Sequence, residues 1–148
     1  MQATNHYSLP VPKAALQGID RSSSPAHTGK LKHAVDLVVP YDTPVLAAAD
    51  GTVTFVRDDS EKGGPSIAFW YDSNFIVIQH PNMEYSRYDH LATRSAMVKP
   101  GQQVKTGQQI ARVGTTGFTL LPHLHFQVFV FTGSNVWTDF ETLPIKTF

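Results

Sequence analysis

The chain has 148 residues, which is enough for one domain with its own hydrophobic core. Twelve basic and twelve acidic residues cancel, and charged residues make up only 16% of the chain, which argues against an electrostatic nucleic-acid binder. There is no cysteine, so disulfides and thiolate metal sites are excluded, and any bound metal must be held by histidine and carboxylate ligands.

The first thirty residues are predicted to form an irregular arm. Residues 1–30 are polar and rich in proline, glycine and serine, whereas residues 31–148 are predicted to form a single β domain on which the arm packs. No stretch reaches the 18 or more continuous apolar residues of a membrane span, and residues 1–12 lack the features of a signal peptide. We therefore expect either an intracellular chain or one from which an export signal was removed.

Six short segments in the rest of the chain alternate apolar and polar residues and are rich in β-branched and aromatic side chains. These predicted strands are 34–39, 52–57, 74–79, 85–90, 109–113 and 123–131. No window of ten or more residues shows a helical stripe. The pattern predicts an all-β, mostly antiparallel fold with long loops and little or no helix. The segment 59–73 is long for a hairpin connection, and we expect a binding element there.

The first strand of the predicted domain, 34–39, contains a carboxylate that is directed away from the core. Alternation places Val35 and Leu37 on the apolar face and Asp36 on the opposite one. The aspartate is a candidate metal ligand. A turn-capping or salt-bridged role is the alternative at this point.

The last predicted strand contains the tripeptide His123-Leu124-His125. Alternate side chains of a strand share a face, so His123, His125 and Gln127 point to one side, while Leu124 and Phe126 point to the other. Neutral imidazole is a good zinc ligand and can also transfer protons, so the histidine face is suited to a metal site. The alternative is that both histidines face solvent.

Four blocks, in the same order, resemble the lysostaphin/LytM-type zinc metallopeptidases, a family of peptidoglycan endopeptidases. The blocks are Asp36-Leu37-Val38-Val39-Pro40 with the segment 43–53, Tyr88-Asp89-His90-Leu91, the paired-glycine stretch 98–107, and residues 114–117 followed by Pro122-His123-Leu124-His125-Phe126. The resemblance covers residues 26–130. It implies the lysostaphin-type peptidase fold and one bound Zn²⁺ ion.

Carried over to this chain, the resemblance implies that Asp36 and His125 are zinc ligands. In the family, the first histidine ligand commonly lies four residues before the aspartate, where this chain has Lys32, whose ammonium has no lone pair to give. His27, from the predicted arm, resembles a variant of the family in which the histidine comes from a preceding loop, and it is the predicted third ligand. His33 and a missing third ligand are the alternatives.

The resemblance also implies roles for two histidines near the metal, and strand parity adds a prediction for Tyr88. His90 and His123 are the catalytic imidazoles that are not bound to the metal, and which of them is the general base stays open. Tyr88 shares the strand parity of His90, so its hydroxyl is predicted to line the substrate groove, with simple packing as the alternative.

The implied activity is a zinc-dependent endopeptidase that uses a zinc-activated water to hydrolyse peptide bonds, with peptidoglycan peptides as the implied substrate. A secreted or periplasmic location in the cell envelope is implied as well. One alternative is a metal-free, inactive relative that acts as a binding or scaffold domain. Another is a lipoyl- or biotinyl-type carrier, indicated by the rhythm of glycine and valine in residues 98–107. The oligomeric state does not follow from the sequence.

Overall fold

Short β-strands make up most of the regular secondary structure of the residues that the computed structural model describes, which are 2–21, 27–145 and 148. The strands are β1 (Gly18–Asp20), β2 (Val35–Val38), β3 (Pro44–Leu46), β4 (Gly51–Arg57), β5 (Gly63–Gly64), β6 (Phe75–Gln79), β7 (Tyr85–Asp89), β8 (Gln103–Val104), β9 (Gln109–Arg112), β10 (Gly117–Phe118), β11 (His123–Phe131) and β12 (Phe140–Leu143). The helical segments are three-residue 3-10 turns at Lys13–Ala15, Gly29–Leu31, Ile67–Phe69 and Pro81–Met83. No helix in these described ranges has the length and hydropathy needed to span a bilayer.

Eight of the strands form one sheet in the order β1-β2-β11-β7-β6-β4-β8, with β12 also paired to β11. Every pair in this sheet is antiparallel. The central strand is β11: its first half pairs with β2 and its second half with β12 along one edge, while β7 pairs along the other edge. Strands β3 and β9 form a small antiparallel sheet, and β5 and β10 form a parallel one. The predicted all-β, mostly antiparallel class is confirmed.

The main sheet is buried on both faces around β11. On one face Leu124, Phe126 and Val128 join Leu37 and Ile76 in the main core. A smaller aromatic cluster on the other face contains Phe75, Val77, Phe129 and Phe140. Full burial of each Leu, Ile or Phe side chain contributes about 1.5–3 kcal/mol, so β11 is held in one register by both layers. The histidine face of β11 is therefore positioned by a rigid strand.

All six strands predicted from alternation are present, with ends that differ from the prediction by at most one residue. The six other strands have only two to four residues, and the sequence pattern did not predict them.

The segment predicted as an irregular arm contributes to the main sheet and its core. Strand β1 pairs with β2, so the prediction of a wholly irregular arm is wrong at this strand. Ala3, Tyr7 and Val11 are buried in the main core. Residues 22–26 of the predicted arm lie outside the described residues. The division of the chain at residue 30 stays a prediction.

Candidate functional site

Two strands and one loop bring three potential metal ligands together. His125 on β11 lies directly opposite Asp36 on β2, so both side chains project from the same face. His27 precedes the 3-10 turn at Gly29–Leu31, where Gly29 has a φ of 58° and reverses the chain. His27 Nε2 is 3.1 Å from Asp36 Oδ2, and His125 Nδ1 is 3.0 Å from Asp36 Oδ1. One ligand atom from each of the three residues lies within 4.8 Å of the others.

His27 supplies an observation that favours a metal at this place. Both of its ring nitrogens are buried without a hydrogen-bond partner among the described residues, because the approach of Nε2 to Asp36 is close but has the wrong geometry for a hydrogen bond. A buried polar group that is left unpaired costs about 1–3 kcal/mol. A cation bound between the three side chains would give His27 its partner. Two imidazoles and a carboxylate form a nitrogen and oxygen donor set of the kind that zinc accepts. The residues present therefore fit a metal ion.

Gln127 fixes the orientation of the His125 ring. It lies two residues further along β11 on the same face, and its Oε1 is 3.1 Å from His125 Nε2. The amide oxygen accepts a hydrogen bond from Nε2–H, so Nδ1 is the nitrogen directed at Asp36. Histidines that bind metals commonly donate their other N–H in this way.

In the metal-free protein, His125 and Asp36 each stabilise the charged form of the other. Burial lowers the pKa of His125, but the hydrogen bond and the negative charge of Asp36 outweigh this effect, and the pKa is raised. Burial would raise the pKa of Asp36, yet the hydrogen bond with His125 and the nearby histidines hold this pKa well below its usual range. A metal ion that binds here would displace the additional proton of His125.

Two further imidazoles lie beside this cluster. The His90 ring centroid is 4.6 Å from that of His123 and 6.0 Å from that of His125. His90 Nδ1 lies 2.7 Å from the carbonyl oxygen of Thr116, and His123 Nδ1 lies 2.8 Å from that of Leu121. Carbonyl oxygens only accept hydrogen bonds, so Nδ1 carries the proton in both rings and Nε2 keeps its lone pair. Both residues are prepared to accept a proton at Nε2.

Burial keeps these two histidines neutral. It lowers the pKa of His90 to about 3, and the neighbouring His123 adds to this shift because two positive charges so close together would repel each other. Burial also lowers the pKa of His123, although Asp36 opposes the shift. Both rings therefore keep a lone pair at pH 7, and the pKa of about 3 makes His90 a weak base in the metal-free protein, because a general base works best with a pKa near the working pH.

Strand β7 carries a buried ion pair that lies next to the histidines. Arg87 Nε is 2.7 Å from Asp89 Oδ2, and Asp89 Oδ1 accepts a hydrogen bond of 3.0 Å from Ser73 Oγ. Burial raises the pKa of Asp89, but the charge and hydrogen bonds of Arg87 outweigh it and lower this pKa. This pair was not among the residues predicted from the sequence. Its signal was the spacing of two opposite charges at alternate positions of a predicted strand, which places them on one face.

Residues 30–136 match the family model described as Peptidase family M23. The chain belongs to peptidase family M23. The resemblance stated from the four sequence blocks is thereby confirmed.

Two relatives of this M23 chain come from Vibrio cholerae and are named peptidoglycan DD-endopeptidases ShyA and ShyB. They are 38% and 37% identical to the chain over 95 and 134 residues. The alignments cover 64% and 87% of this chain, but only 19% and 28% of the relatives. The chain thus spans less than a third of the length of these two proteins.

Solved structures show the same fold. A zinc-containing peptidase from Vibrio cholerae aligns with a TM-score of 0.61 at 35% identity, covering 84% of this chain and 36% of that one. Lysostaphin from Staphylococcus simulans aligns with a TM-score of 0.63 at 27% identity, covering 95% of this chain and 52% of that one. The predicted lysostaphin-type fold is confirmed.

Tyr88 does not line the site of this M23 chain, so its predicted contact with substrate is wrong. The side chain is completely buried in the main core, where its hydroxyl accepts hydrogen bonds from Ala48 N and Ser86 Oγ, at 2.9 and 2.8 Å. Tyr88 and His90 do not share a face, because His90 lies beyond the end of β7 and has a φ of 67°. This backbone turn brings His90 to the face of Asp89 instead of the face of Tyr88.

The alternative ligand His33 is not brought to the cluster. Its backbone N–H donates to Thr142 Oγ1, and its ring nitrogens are not among the grouped ligand atoms. Lys32, at the position where the family commonly has its first histidine, is exposed. The geometry therefore favours His27 over His33.

Proposed function

We propose that this chain is a zinc-dependent endopeptidase that hydrolyses peptide bonds in peptidoglycan peptides. The observation that carries the proposal is the convergence of His27, Asp36 and His125, with the buried, unpaired Nε2 of His27 3.1 Å from Asp36 Oδ2. The names of the relatives, two peptidoglycan DD-endopeptidases and a zinc-containing peptidase, support the same activity. We also propose a location in the cell envelope, where peptidoglycan is found.

In this proposal His27, Asp36 and His125 hold the metal. A bound zinc ion supplies Lewis-acid chemistry and lowers the pKa of a coordinated water to about 7. Gln127 keeps His125 in the tautomer that leaves Nδ1 free for binding.

His90 and His123 carry the proton transfers. Each has a neutral ring and an Nε2 lone pair facing the site, so either can take a proton from the attacking water. The imidazolium that results can donate to the oxygen that becomes negative, or to the leaving amine. The carbonyls of Thr116 and Leu121 hold the two rings in place during these steps.

Zinc content and hydrolysis, measured together, test the proposal. The wild-type protein, purified without chelator, is expected to contain about one zinc ion per chain and to cleave cross-linked muropeptides. His27→Ala should lose most of the zinc and slow cleavage by more than about 100-fold, because a direct ligand matters more than a supporting partner worth about 10- to 100-fold. His33→Ala is the matched control and should keep both properties.

Two outcomes would contradict the proposal. Wild-type protein that binds no zinc and cleaves no peptide would favour the metal-free scaffold. Equal losses in His27→Ala and His33→Ala would remove His27 from the ligand set. At present the scaffold alternative leaves the buried, unpaired nitrogens of His27 without a physical reason.

A further inference from the structure

A cavity of about 80 Å³ opens directly beside the candidate metal centre. His90 and His125 are among its lining residues, together with the aromatic side chains of Trp70, Phe118 and Trp137. Arg87 belongs to the same lining. An apolar pocket with a few convergent polar groups is the usual form of a site for a small group of a ligand.

The Arg87 guanidinium is fixed in this cavity before any ligand arrives. Its Cζ lies 3.8 Å from the centroid of the Phe75 ring and 5.0 Å from that of Trp137. Nε and Nη2 donate to the two oxygens of Asp89, at 2.7 and 3.0 Å. Stacking on aromatic faces and a two-point ion pair together leave the guanidinium plane little freedom.

One edge of this guanidinium has no partner. Nη1 donates to no acceptor within residues 2–21, 27–145 and 148, and it keeps contact with solvent, since the buried unpaired side-chain atoms of these residues belong to His27. Guanidinium edges match carboxylates in geometry as well as in charge. The free edge is therefore available to a carboxylate of a ligand.

We propose that Arg87 is a specificity-determining residue that binds a free carboxylate of the peptide substrate inside this cavity. The proposal rests on the proposed peptidase function and names the substrates that it favours. Asp89 holds the Nε and Nη2 edge of Arg87, which leaves Nη1 as the donor for a carboxylate of the substrate. A charge-assisted hydrogen bond from a guanidinium to a carboxylate is about twice as strong as a neutral one.

The register of the sheet sets where the carboxylate lies. Arg87 on β7 is opposite Gln127, and Asp89 is opposite His125. Two residues along a strand correspond to roughly 7 Å. The carboxylate is therefore within a few bonds of the amide that is cleaved. Peptides with a free carboxyl group on the residue after the scissile bond meet this requirement.

Two peptides that differ only in this group test the inference. One carries a free carboxylate on the residue after the scissile bond and the other a carboxamide. The wild-type ratio of kcat/KM should favour the carboxylate by about 10- to 100-fold, the range expected for a hydrogen-bonded charged group. In the double variant Arg87→Gln/Asp89→Asn, which leaves no buried unpaired charge, this ratio should fall to about one.

A surface ion pair provides the matched control. Arg112 and Asp42 are 2.9 Å apart but about half exposed, and Arg112→Gln/Asp42→Asn should keep the wild-type ratio. Arg87→Lys keeps the charge and loses the planar fork, so it should show an intermediate ratio even if the double variant does not fold. A wild-type ratio near one, or an unchanged ratio in either Arg87 variant, would overturn the inference.

Binding separates this inference from the proposed activity. The amine-bearing product peptide, with either a free carboxylate or a carboxamide, is titrated calorimetrically into the protein as purified. The carboxylate form should bind about tenfold or more tightly, and Arg87→Lys should reduce the difference. Failure of hydrolysis with this preference intact would reject the peptidase function and keep Arg87 as a carboxylate site, while equal binding of the two forms would reject the Arg87 assignment.

Discussion

His90 adopts a backbone conformation that is unusual for a residue with a side chain. Its φ of 67° is in the left-handed region, which costs roughly 1–2 kcal/mol for a residue other than glycine. The backbone N–H of His90 donates to Ser73 Oγ at 2.9 Å, and its ring donates to the Thr116 carbonyl. These two bonds offset the strain and keep the ring beside His123. The strained residue is thus one to which the proposed mechanism assigns a particular side-chain direction.

Gln127 orients the His125 ring, so its replacement should weaken zinc binding. Gln127→Leu keeps a similar side-chain size but removes the acceptor of His125 Nε2–H. We expect the zinc affinity to fall by about 10- to 100-fold, measured by competition with a chromophoric chelator. Gln103→Leu, at an exposed position of β8, is the control and should bind zinc like the wild type. Equal affinities of Gln127→Leu and wild type would remove Gln127 from the site.

Among the secondary-structure elements, the N-terminal segment is attached to the turn before β7 through one carboxylate. Glu84 is buried and accepts hydrogen bonds from Thr4 N, Asn5 N and the Tyr7 hydroxyl. Hydrogen bonds to a charged acceptor contribute about 1.5–3 kcal/mol each. The attachment also buries Tyr7 in the main core.

Tyr7 makes the stability of this attachment depend on pH. Burial, with the neighbouring Glu84 as a further cause, raises the pKa of Tyr7 above its ordinary value of 10.0. A group whose pKa is raised on folding contributes fully below its unfolded pKa, and this stability is lost as the pH rises above about 10. We expect the free energy of unfolding, measured by urea titration, to fall less steeply between pH 9 and 11 in Tyr7→Phe than in wild type. Tyr41→Phe, at an exposed position, is the control and should show the wild-type dependence of the free energy of unfolding on pH. The same dependence in Tyr7→Phe and wild type would contradict the raised pKa of Tyr7.

Alternation predicted the long strands and the faces of Asp36, His123 and His125 because a rigid strand obeys a period of two. It could not predict strands such as β5 and β10, since two residues are too few to show a period. It also failed for Tyr88 and His90, because parity ends where the strand ends and a left-handed residue follows. The Arg87–Asp89 pair could be placed on one face, but its burial depends on aromatic residues distant in sequence.

In the molecule as a whole, the candidate metal centre joins the loop before β2 to strands β2 and β11 of the main sheet. A ligand that binds only the folded state stabilises it by mass action. At a free zinc concentration of 100 times the dissociation constant, we expect a gain of about 2.7 kcal/mol and a rise in Tm of about 5–10 °C.

Scanning calorimetry with and without zinc measures this gain. His27→Ala should show a much smaller rise at the same zinc concentration, because one of the three ligands is missing. His33→Ala should respond like the wild type. A wild-type Tm that does not change with zinc would contradict a metal centre that connects these elements.

The order of the ligands along the chain affects when the centre can form during synthesis. Asp36 and His125 are 89 positions apart, and β2 obtains its central neighbour only when β11 is present. A polypeptide leaves the ribosome from its N-terminus, so the early half emerges without the strand that completes the metal site. Ribosome-bound fragments that end before β11 therefore lack His125 and have only part of the candidate metal centre.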